Sequence, residues 1–386
     1  MKKVYLDYNA TTPIDPRVIE EMLPYLSEHH GNPSSIHSYG RQAKKGLDDS
    51  REQVAQLLNC SAKEVMFTSG GSEGANFAIK SAALGSLKEK GNHIITTKVE
   101  HECVLESFHY LEKQGYETTY LDVNSDGQID IDELRDSISD KTILVSCIYA
   151  NNETGVISPI EEIASIVKEQ GIAFHTDAVQ AAGKLPIDVE KIPADFLSIS
   201  AHKYYGPKAV GVLYIRDDFS QKVTLPAQIH GGGQERGKRS GTENIAGIVG
   251  LGYASNLACR EMSSDQSKIG ELRNKLLNEI SANIKGVKIN GSMDKILWNT
   301  LNISIEGVRG DSLAMNLDIE GVAVSTGSAC SEGAIDPSHV LAAMGLSKKD
   351  ASSSIRLSLG RFTSLEDIDY VASVMPKVVD RIRSVS

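Results

Sequence analysis

Between about residue 64 and residue 215, short strand-like runs alternate with amphipathic helical segments, and this alternation limits the possible folds more than any other feature. The strand-like runs are apolar and rich in β-branched residues; they cover residues 65–68, 93–97, 118–121, 142–148, 172–175, 196–199 and 210–215. Helical periodicity marks segments between them, such as 73–88, 102–113 and 159–169. The pattern predicts an α/β fold with a mostly parallel, seven-stranded sheet covered by helices.

Beyond residue 258 the alternation gives way to a looser pattern. A long polar helix is predicted around 261–280, followed by strands within 286–306 and 353–359 and by a closing helix at 364–383, which together form a smaller α+β unit. A chain of 386 residues is long enough for two domains. The predicted domains are a large one, residues 15–258, and a small one, residues 1–14 with 259–386.

Charge, hydropathy and cysteine usage predict a cytoplasmic protein without a membrane span. The net charge of −11 argues against a nucleic-acid-binding surface, and no apolar stretch reaches the roughly 18 residues that a span needs. The five cysteines are scattered and never form a C-x-x-C pair; they are Cys60, Cys103, Cys147, Cys259 and Cys330. This usage fits a reducing compartment and predicts neither a disulfide framework nor a metal site.

Polar residues follow five of the predicted strands, at 69–72, 100–101, 151–153, 177–180 and 200–203. Each has an ordinary explanation when taken singly, because His101 could be a satisfied core histidine and Ser72 could merely cap a helix. In open α/β sheets, however, ligands bind at the carboxyl ends of the strands. Five polar strand ends together therefore predict one binding site.

A lysine and an aspartate at two of these ends indicate the chemistry. Lys203 ends an apolar run, and Asp177 ends another run 26 residues earlier. Pyridoxal phosphate (PLP) needs a lysine for its Schiff base and a carboxylate beside its pyridinium nitrogen. A solvated loop lysine is the ordinary alternative for Lys203. Gln180, one helical turn after Asp177, is a further candidate contact of the cofactor.

The remaining strand ends supply groups for the other parts of such a cofactor. Gly71 and Ser72 precede a predicted helix, whose free N–H groups and positive end attract a phosphate. His101 is a candidate to stack over the ring and to move protons.

Motifs along nearly the whole chain, in order, resemble those of NifS/IscS-type cysteine desulfurases, which are aspartate-aminotransferase-like PLP enzymes. The matching stretches are residues 5–13, 31–35, 67–70, 100–101, 151–153, 202–203, 231–242, 328–330 and 353–361. Where the family often has Gly-Ala-Thr-Glu, this chain has Gly71-Ser72-Glu73, so a serine hydroxyl would contact the phosphate.

The resemblance implies roles for further residues. It implies a homodimer in which Thr242 reaches the phosphate in the partner subunit, while Ser200 and His202 contact the phosphate in their own. It also implies that Arg356 and Asn152 hold the substrate carboxylate, a role suited to the bidentate guanidinium. A structural ion pair is the alternative for Arg356.

Cys330 lies in a small, polar, glycine-containing segment, residues 325–337. This composition predicts an exposed, mobile loop, in which a thiol has little use for packing. Because the thiolate is the reactive form of cysteine, we interpret Cys330 as the catalytic nucleophile on a loop of the small domain.

The resemblance, together with these residues, implies conversion of L-cysteine to L-alanine. Lys203 would remove the Cα proton, His101 would assist near the sulfur, and Cys330 would take the sulfur as a persulfide. A sulfur-acceptor protein for iron–sulfur cluster assembly or tRNA thiolation would receive it. Selenocysteine lyase or another aminotransferase-like activity is an alternative, distinguished by whether turnover needs Cys330. A non-catalytic assembly protein that retains the fold is a second alternative. Such a protein would lack the yellow colour of a bound cofactor.

Two further motifs have misleading matches. Residues 122–133 match an EF-hand calcium loop at six positions, but the preceding run reads as a strand, whereas an EF-hand needs a helix there. Residues 232–238 approach a P-loop, but Arg239 replaces the Ser or Thr that would bind magnesium. We predict no metal at either site.

Overall fold

Twelve strands and twelve helices make up the described part of a computed structural model, residues 2–326 and 337–385. The strands are β1 Val4–Tyr5, β2 Val65–Thr68, β3 His93–Thr97, β4 Glu117–Leu121, β5 Thr142–Ile148, β6 Ala173–Asp177, β7 Phe196–Ser200, β8 Gly211–Ile215, β9 Val287–Ile289, β10 Thr300–Ile305, β11 Val322–Ala323 and β12 Ser354–Ser358. The helices are α1 Pro16–Ser27, α2 Ser38–Leu58, α3 Gly71–Leu84, α4 Glu102–Glu112, α5 Ile131–Ser137, α6 Ile160–Glu169, α7 Asp217–Ser220, α8 Ile245–Asn283, α9 Gly310–Ile319, α10 His339–Ala343, α11 Lys348–Ser352 and α12 Leu365–Val385.

Seven strands form the main sheet, in the order β2-β8-β7-β6-β5-β3-β4. Strands β7, β6, β5, β3 and β4 are parallel, whereas β8 runs antiparallel to both β7 and β2. All seven strands predicted from the sequence are present, with ends that differ by at most two residues. The prediction of a mostly parallel seven-stranded sheet is therefore confirmed.

Successive residues of each central strand pack into different cores, one on each face of the sheet. Ile94 and Leu144 belong to the core that contains α3 and α4 residues, while Ile95 and Val145 belong to the core that contains α2, α6 and α8 residues. Since side chains alternate between faces along a strand, both faces are covered. This explains why these strands are apolar throughout rather than alternating.

A second, smaller sheet has the antiparallel order β12-β10-β9 and packs on α12 and the end of α8 around its own core. Helix α8 is continuous over 39 residues and contributes to both cores, with Ala258 in the large one and Ile269 in the small one. The domain boundary at residues 258 and 259 remains a prediction, and the separation of the cores supports it.

Helix α8 begins 16 residues before the predicted helix, and this difference has a physical cause. Its first part is buried, so it lacks the polar face that reveals an amphipathic helix. It also contains glycines at close approaches: a Cβ at Gly252 would lie 2.7 Å from the Cα of Ser50 on α2. Glycine there lowers helix propensity but lets the two helices touch.

No helix of the described ranges is long and apolar enough to cross a membrane.

The calcium-like loop is preceded by strand β4 and not by a helix. Its carboxylates bond within the chain: Asp122 Oδ1 lies 2.6 Å from Lys98 Nζ, Glu133 Oε2 accepts from the Asp122 N–H at 3.2 Å, and Asp130 caps α5. The segment is therefore a strand-to-helix connection.

Replacing both Asp122 and Glu133 with alanine should change activity by less than about twofold, because the lost surface ion pair contributes at most about 1 kcal/mol of stability. Calorimetry on the unaltered protein should detect no calcium binding in the sub-millimolar range. A stoichiometric calcium isotherm would show that the motif was wrongly rejected.

Candidate active site

A cavity of about 290 Å³ lies at the carboxyl ends of the parallel strands. Of the predicted site residues that the structure describes, all except Thr242 line it: Gly71, Ser72, His101, Asn152, Asp177, Gln180, Ser200, His202, Lys203 and Arg356. The sheet register explains this convergence, because β5, β6 and β7 lie side by side and end at the same edge. Asn9, Ala10 and Cys103 also line the cavity and were not predicted as site residues.

One end of the cavity is built to receive an anion. Gly71 and Ser72 form the first turn of α3, a helix of 14 residues whose positive end faces the cavity. A Cβ at Gly71 would lie 2.4 Å from Val179 Cγ2, so only glycine fits without displacing that side chain. Ser200 and His202 line the same cavity, and burial lowers the pKa of His202 to about 4. His202 is therefore a neutral hydrogen-bonding group.

Asp177 supplies a buried carboxylate at the end of β6. Its side chain is 5% exposed, and Oδ1 accepts from the Val179 N–H at 2.9 Å. Burial raises the pKa of Asp177, while electrostatic interactions with His101 and Lys203 oppose this rise. A cationic group placed against this carboxylate would be stabilised by the opposite charge.

His101 caps helix α4, and this bond fixes its tautomer. Its Nδ1 accepts from the Cys103 N–H at 3.2 Å. Burial lowers the pKa of His101, so the ring is neutral at neutral pH. Since Nδ1 is an acceptor, the proton of the neutral ring is on Nε2.

Lys203 lies in a single 3-10 turn directly after β7. Its Nζ donates to the backbone oxygens of Asn9 at 2.6 Å and Ala10 at 2.8 Å. These carbonyl groups belong to the N-terminal segment, in which Asn9 donates to Ser358 Oγ and Thr300 Oγ1 of the small sheet. The sequence identifies this segment only as a family motif, because no residue type indicates that a backbone oxygen will contact a lysine.

Arg356 comes from β12 of the small sheet and reaches the same cavity. Its Nη1 donates to the backbone oxygen of Asn152 at 2.8 Å, and its Nη2 pairs with Asp7 Oδ1 at 2.8 Å. The ion pair given above as an alternative is therefore present. Among the described residues, however, Arg356 Nε and Asn152 Oδ1 are buried without a hydrogen-bond partner. Unpaired polar atoms on both residues leave capacity for a ligand.

The residues of the cavity fit PLP, the cofactor predicted from the sequence. The α3 end with Ser200 and His202 suits its phosphate, Asp177 suits its ring nitrogen, and Lys203 suits its aldehyde carbon.

Thr242 is not among the residues that line this cavity. Thr242 is exposed, in a segment that a buried ion pair attaches to the large domain: Arg51 Nη2 lies 2.7 Å from Glu235 Oε1. Cys330 and most of the predicted loop, residues 327–336, lie outside the described residues.

Comparison with protein families shows which family the chain belongs to. A family model described as aminotransferase class-V matches residues 4–371. The chain belongs to the class-V aminotransferases.

Particular members of this class are close relatives. The chain is 50% identical to a protein named cysteine desulfurase IscS from Clostridium botulinum strain Hall, over 100% of this chain and 96% of the relative. A solved NifS-like protein has a TM-score of 0.92 at 39% identity, over 98% of this chain and 100% of the other. A structure of SspA in complex with cysteine has a TM-score of 0.82 at 37% identity, over 94% and 100% of the two chains.

These relatives confirm several predictions made from the sequence. The resemblance to NifS/IscS-type enzymes, the PLP-dependent fold and the enzyme class, cysteine desulfurase, all agree with them. The roles of individual residues remain predictions.

Proposed function

We propose that this class-V aminotransferase converts L-cysteine to L-alanine and passes the sulfur to Cys330 as a persulfide. The observation that carries the proposal is that one cavity combines Lys203, Asp177 and Arg356, from two different sheets, as a PLP-dependent reaction on an amino acid requires. The relative solved in complex with cysteine supports the choice of substrate.

Cofactor binding uses the groups at the strand ends. Gly71, Ser72, Ser200 and His202 hold the phosphate, and Asp177 holds the ring nitrogen in its protonated form. When bound, PLP supplies an electron sink for the pair left at Cα after the proton is removed.

Substrate binding uses Arg356 and Asn152. The unpaired Nε and the other guanidinium nitrogens of Arg356 present a cationic, planar donor set to the cysteine carboxylate. Asp7, which already pairs with Nη2, holds the guanidinium plane in place. Selection for an α-carboxylate follows from this arrangement.

Proton movements use Lys203 and His101. The Lys203 amine takes the Cα proton. Lys203 lines the cavity and follows β7, the strand that pairs with β6, which ends at Asp177. The Nε2 proton of neutral His101 is available to a group near the substrate sulfur.

Sulfur transfer uses Cys330. The sequence alone supports this role, because Cys330 lies outside the described residues. Its thiolate attacks the sulfur of the bound cysteine, so that an S–S bond forms and the substrate Cβ–S bond breaks. The electron pair of the broken bond goes to the substrate carbon, which takes up a proton and leaves as alanine. One cysteine and one thiol thus give one alanine and one persulfide.

We propose further that the protein is a cytoplasmic homodimer. It delivers the persulfide sulfur to an acceptor protein for iron–sulfur clusters or thiolated tRNA. Thr242 is exposed outside the cavity of its own chain, which supports its contact with a partner's phosphate. Ile36, at 91% exposure, and Leu26, at 65%, are large apolar residues that a second subunit would cover. Sedimentation should give twice the chain mass of 41.7 kDa.

The test of the activity is incubation of the PLP-loaded protein with L-cysteine and a reductant, with alanine and sulfide assayed together. Equal amounts of the two products are expected, because the reductant releases the persulfide sulfur. Alanine without sulfide would contradict the proposal and favour transamination. Turnover confined to selenocysteine would favour the lyase alternative.

A further inference from the structure

A buried lysine beside the cavity has no part in the reaction proposed above. Lys184 is 5% exposed, and among the described residues no carboxylate pairs with it. The charges of Lys203 and Arg356 add to the cost of its burial, and together these effects lower the pKa of Lys184 to about 7. A buried, unpaired amine is unfavourable for stability, so its contacts indicate what it does.

Within the described part of the chain, the Lys184 amine makes its two hydrogen bonds with one residue, Gln180. Lys184 Nζ donates to Gln180 Oε1 at 2.9 Å and to the Gln180 backbone oxygen at 3.2 Å. The nitrogen of the same carboxamide, Gln180 Nε2, donates to the backbone oxygen of Asn9 at 2.9 Å. That oxygen also accepts from Lys203 Nζ.

This arrangement allows only one orientation of the Gln180 carboxamide. The Asn9 backbone oxygen only accepts hydrogen bonds, and the protonated form of Lys184, which the carboxamide oxygen favours, has three donors and no acceptor. If the carboxamide turned over, its NH₂ group would face the Lys184 ammonium and its oxygen would face the Asn9 oxygen. Both contacts would then be repulsive, so the observed orientation directs the N–H donors toward the cavity.

The backbone around Lys184 is fixed as well. Gly183 has a φ of +72°, and a Cβ there would lie 2.5 Å from Tyr204 Cβ, so glycine is required for the turn that brings Lys184 back onto Gln180. On the other side, Trp298 Nε1 donates to the Lys184 oxygen at 2.8 Å. The amine is thus held in register with the carboxamide.

We propose that Lys184 is a positioning residue, which holds the Gln180 carboxamide with its N–H donors toward the cofactor. This inference rests on the proposed role of Gln180 as a cofactor-binding residue. Lys184 itself touches neither cofactor nor substrate, and its contribution reaches the cavity only through Gln180.

The test is a double-mutant cycle on the affinity of the cofactor-free protein for PLP. The variants are Lys184→Met, Gln180→Ala and the two combined, and binding is followed by quenching of Trp298, the single tryptophan of the chain. Lys184→Met should raise the Kd for PLP about tenfold when Gln180 is present and less than twofold when alanine replaces it. Lys184→Met and Gln180→Ala should shift the absorbance of the bound cofactor in the same direction.

Lys80→Met is a matched control, because Lys80 Nζ donates to Asn76 Oδ1 at 2.6 Å with the same spacing of four residues, outside the cavity. It should leave the Kd unchanged. Equal weakening by Lys184→Met in both backgrounds, or no weakening in either, would overturn the positioning role. An unchanged Kd in Gln180→Ala would instead remove Gln180 from the cofactor site, and the inference with it.

The melting temperature of each cofactor-free variant reports whether it folds. If Lys184→Met does not fold, Lys184→Arg provides the complementary measurement, since arginine keeps donors and lacks an acceptor. A Kd within about threefold of the unaltered protein would support the role, and a folded Lys184→Arg protein weakened tenfold would contradict it.

Discussion

Lys203→Ala should abolish alanine production while leaving the fold intact. Proton transfer by a positioned side chain accounts for about 10²–10⁴-fold in rate, and this variant also loses the covalent link to the cofactor. The change removes the hydrogen bonds from Nζ to the Asn9 and Ala10 backbone oxygens, which lie at the cavity and outside the cores. PLP should still bind through Asp177, the N-terminal end of α3 and the proposed phosphate contact of Thr242 from a second subunit.

Two measurements test this expectation. Borohydride reduction should fix PLP on the peptide that contains Lys203 in the unaltered protein and on no peptide of the variant. Lys208→Ala, which changes an exposed lysine five residues further along, is the matched control and should keep both activity and labelling. Substantial alanine production by Lys203→Ala, with its melting temperature retained, would remove Lys203 from the mechanism.

Cys330→Ser should bind PLP and L-cysteine and then stop before sulfur transfer. Binding depends on Lys203, Asp177 and Arg356, which the substitution does not touch. The transfer step needs a strong nucleophile, and a serine hydroxyl at neutral pH is far weaker than a thiolate. The expected result is a changed cofactor spectrum on addition of cysteine, with no persulfide and almost no alanine.

Mass spectrometry after brief turnover of the unaltered protein should find the added sulfur on the Cys330 peptide alone. Burial raises the pKa of Cys60 to about 12, and it also raises the pKa of Cys103, Cys147 and Cys259, which keeps all four as thiols. Cys259→Ser is the matched control, since Cys259 is the exposed one of the four. Alanine release by Cys330→Ser at a near-normal rate would replace the persulfide mechanism with a lyase or a transaminase.

The sheet and the walls of the cavity could be predicted because their causes are local. A strand such as β5 is apolar and β-branched along its length, and the polar residues after it end the strand where ligands bind. Asp177 and Lys203 therefore predicted both the position of the binding site and PLP as its cofactor.

The remaining features depend on contacts between distant parts of the chain. Asn9 and Ala10 contribute backbone oxygens, which every residue has, so no residue type indicates their contact with Lys203. The amine of Lys184 contacts Gln180, and only the packed structure shows that no carboxylate of the described ranges pairs with it. The early start of α8 is hidden because a helix buried on all sides has no amphipathic pattern.

The position of the N-terminal segment has a consequence for how the protein is made. Val4 pairs with Val322, and Asp7 pairs with Ser358 and Arg356, so the segment that contacts Lys203 is anchored by strands near the other end of the chain. A ribosome adds roughly 5–20 residues per second. Val4 and Asp7 thus wait on the order of tens of seconds for these partners, and the residues of the seven-stranded sheet are synthesised in the meantime. Completion of the cofactor pocket is consequently one of the last events in the biogenesis of this enzyme.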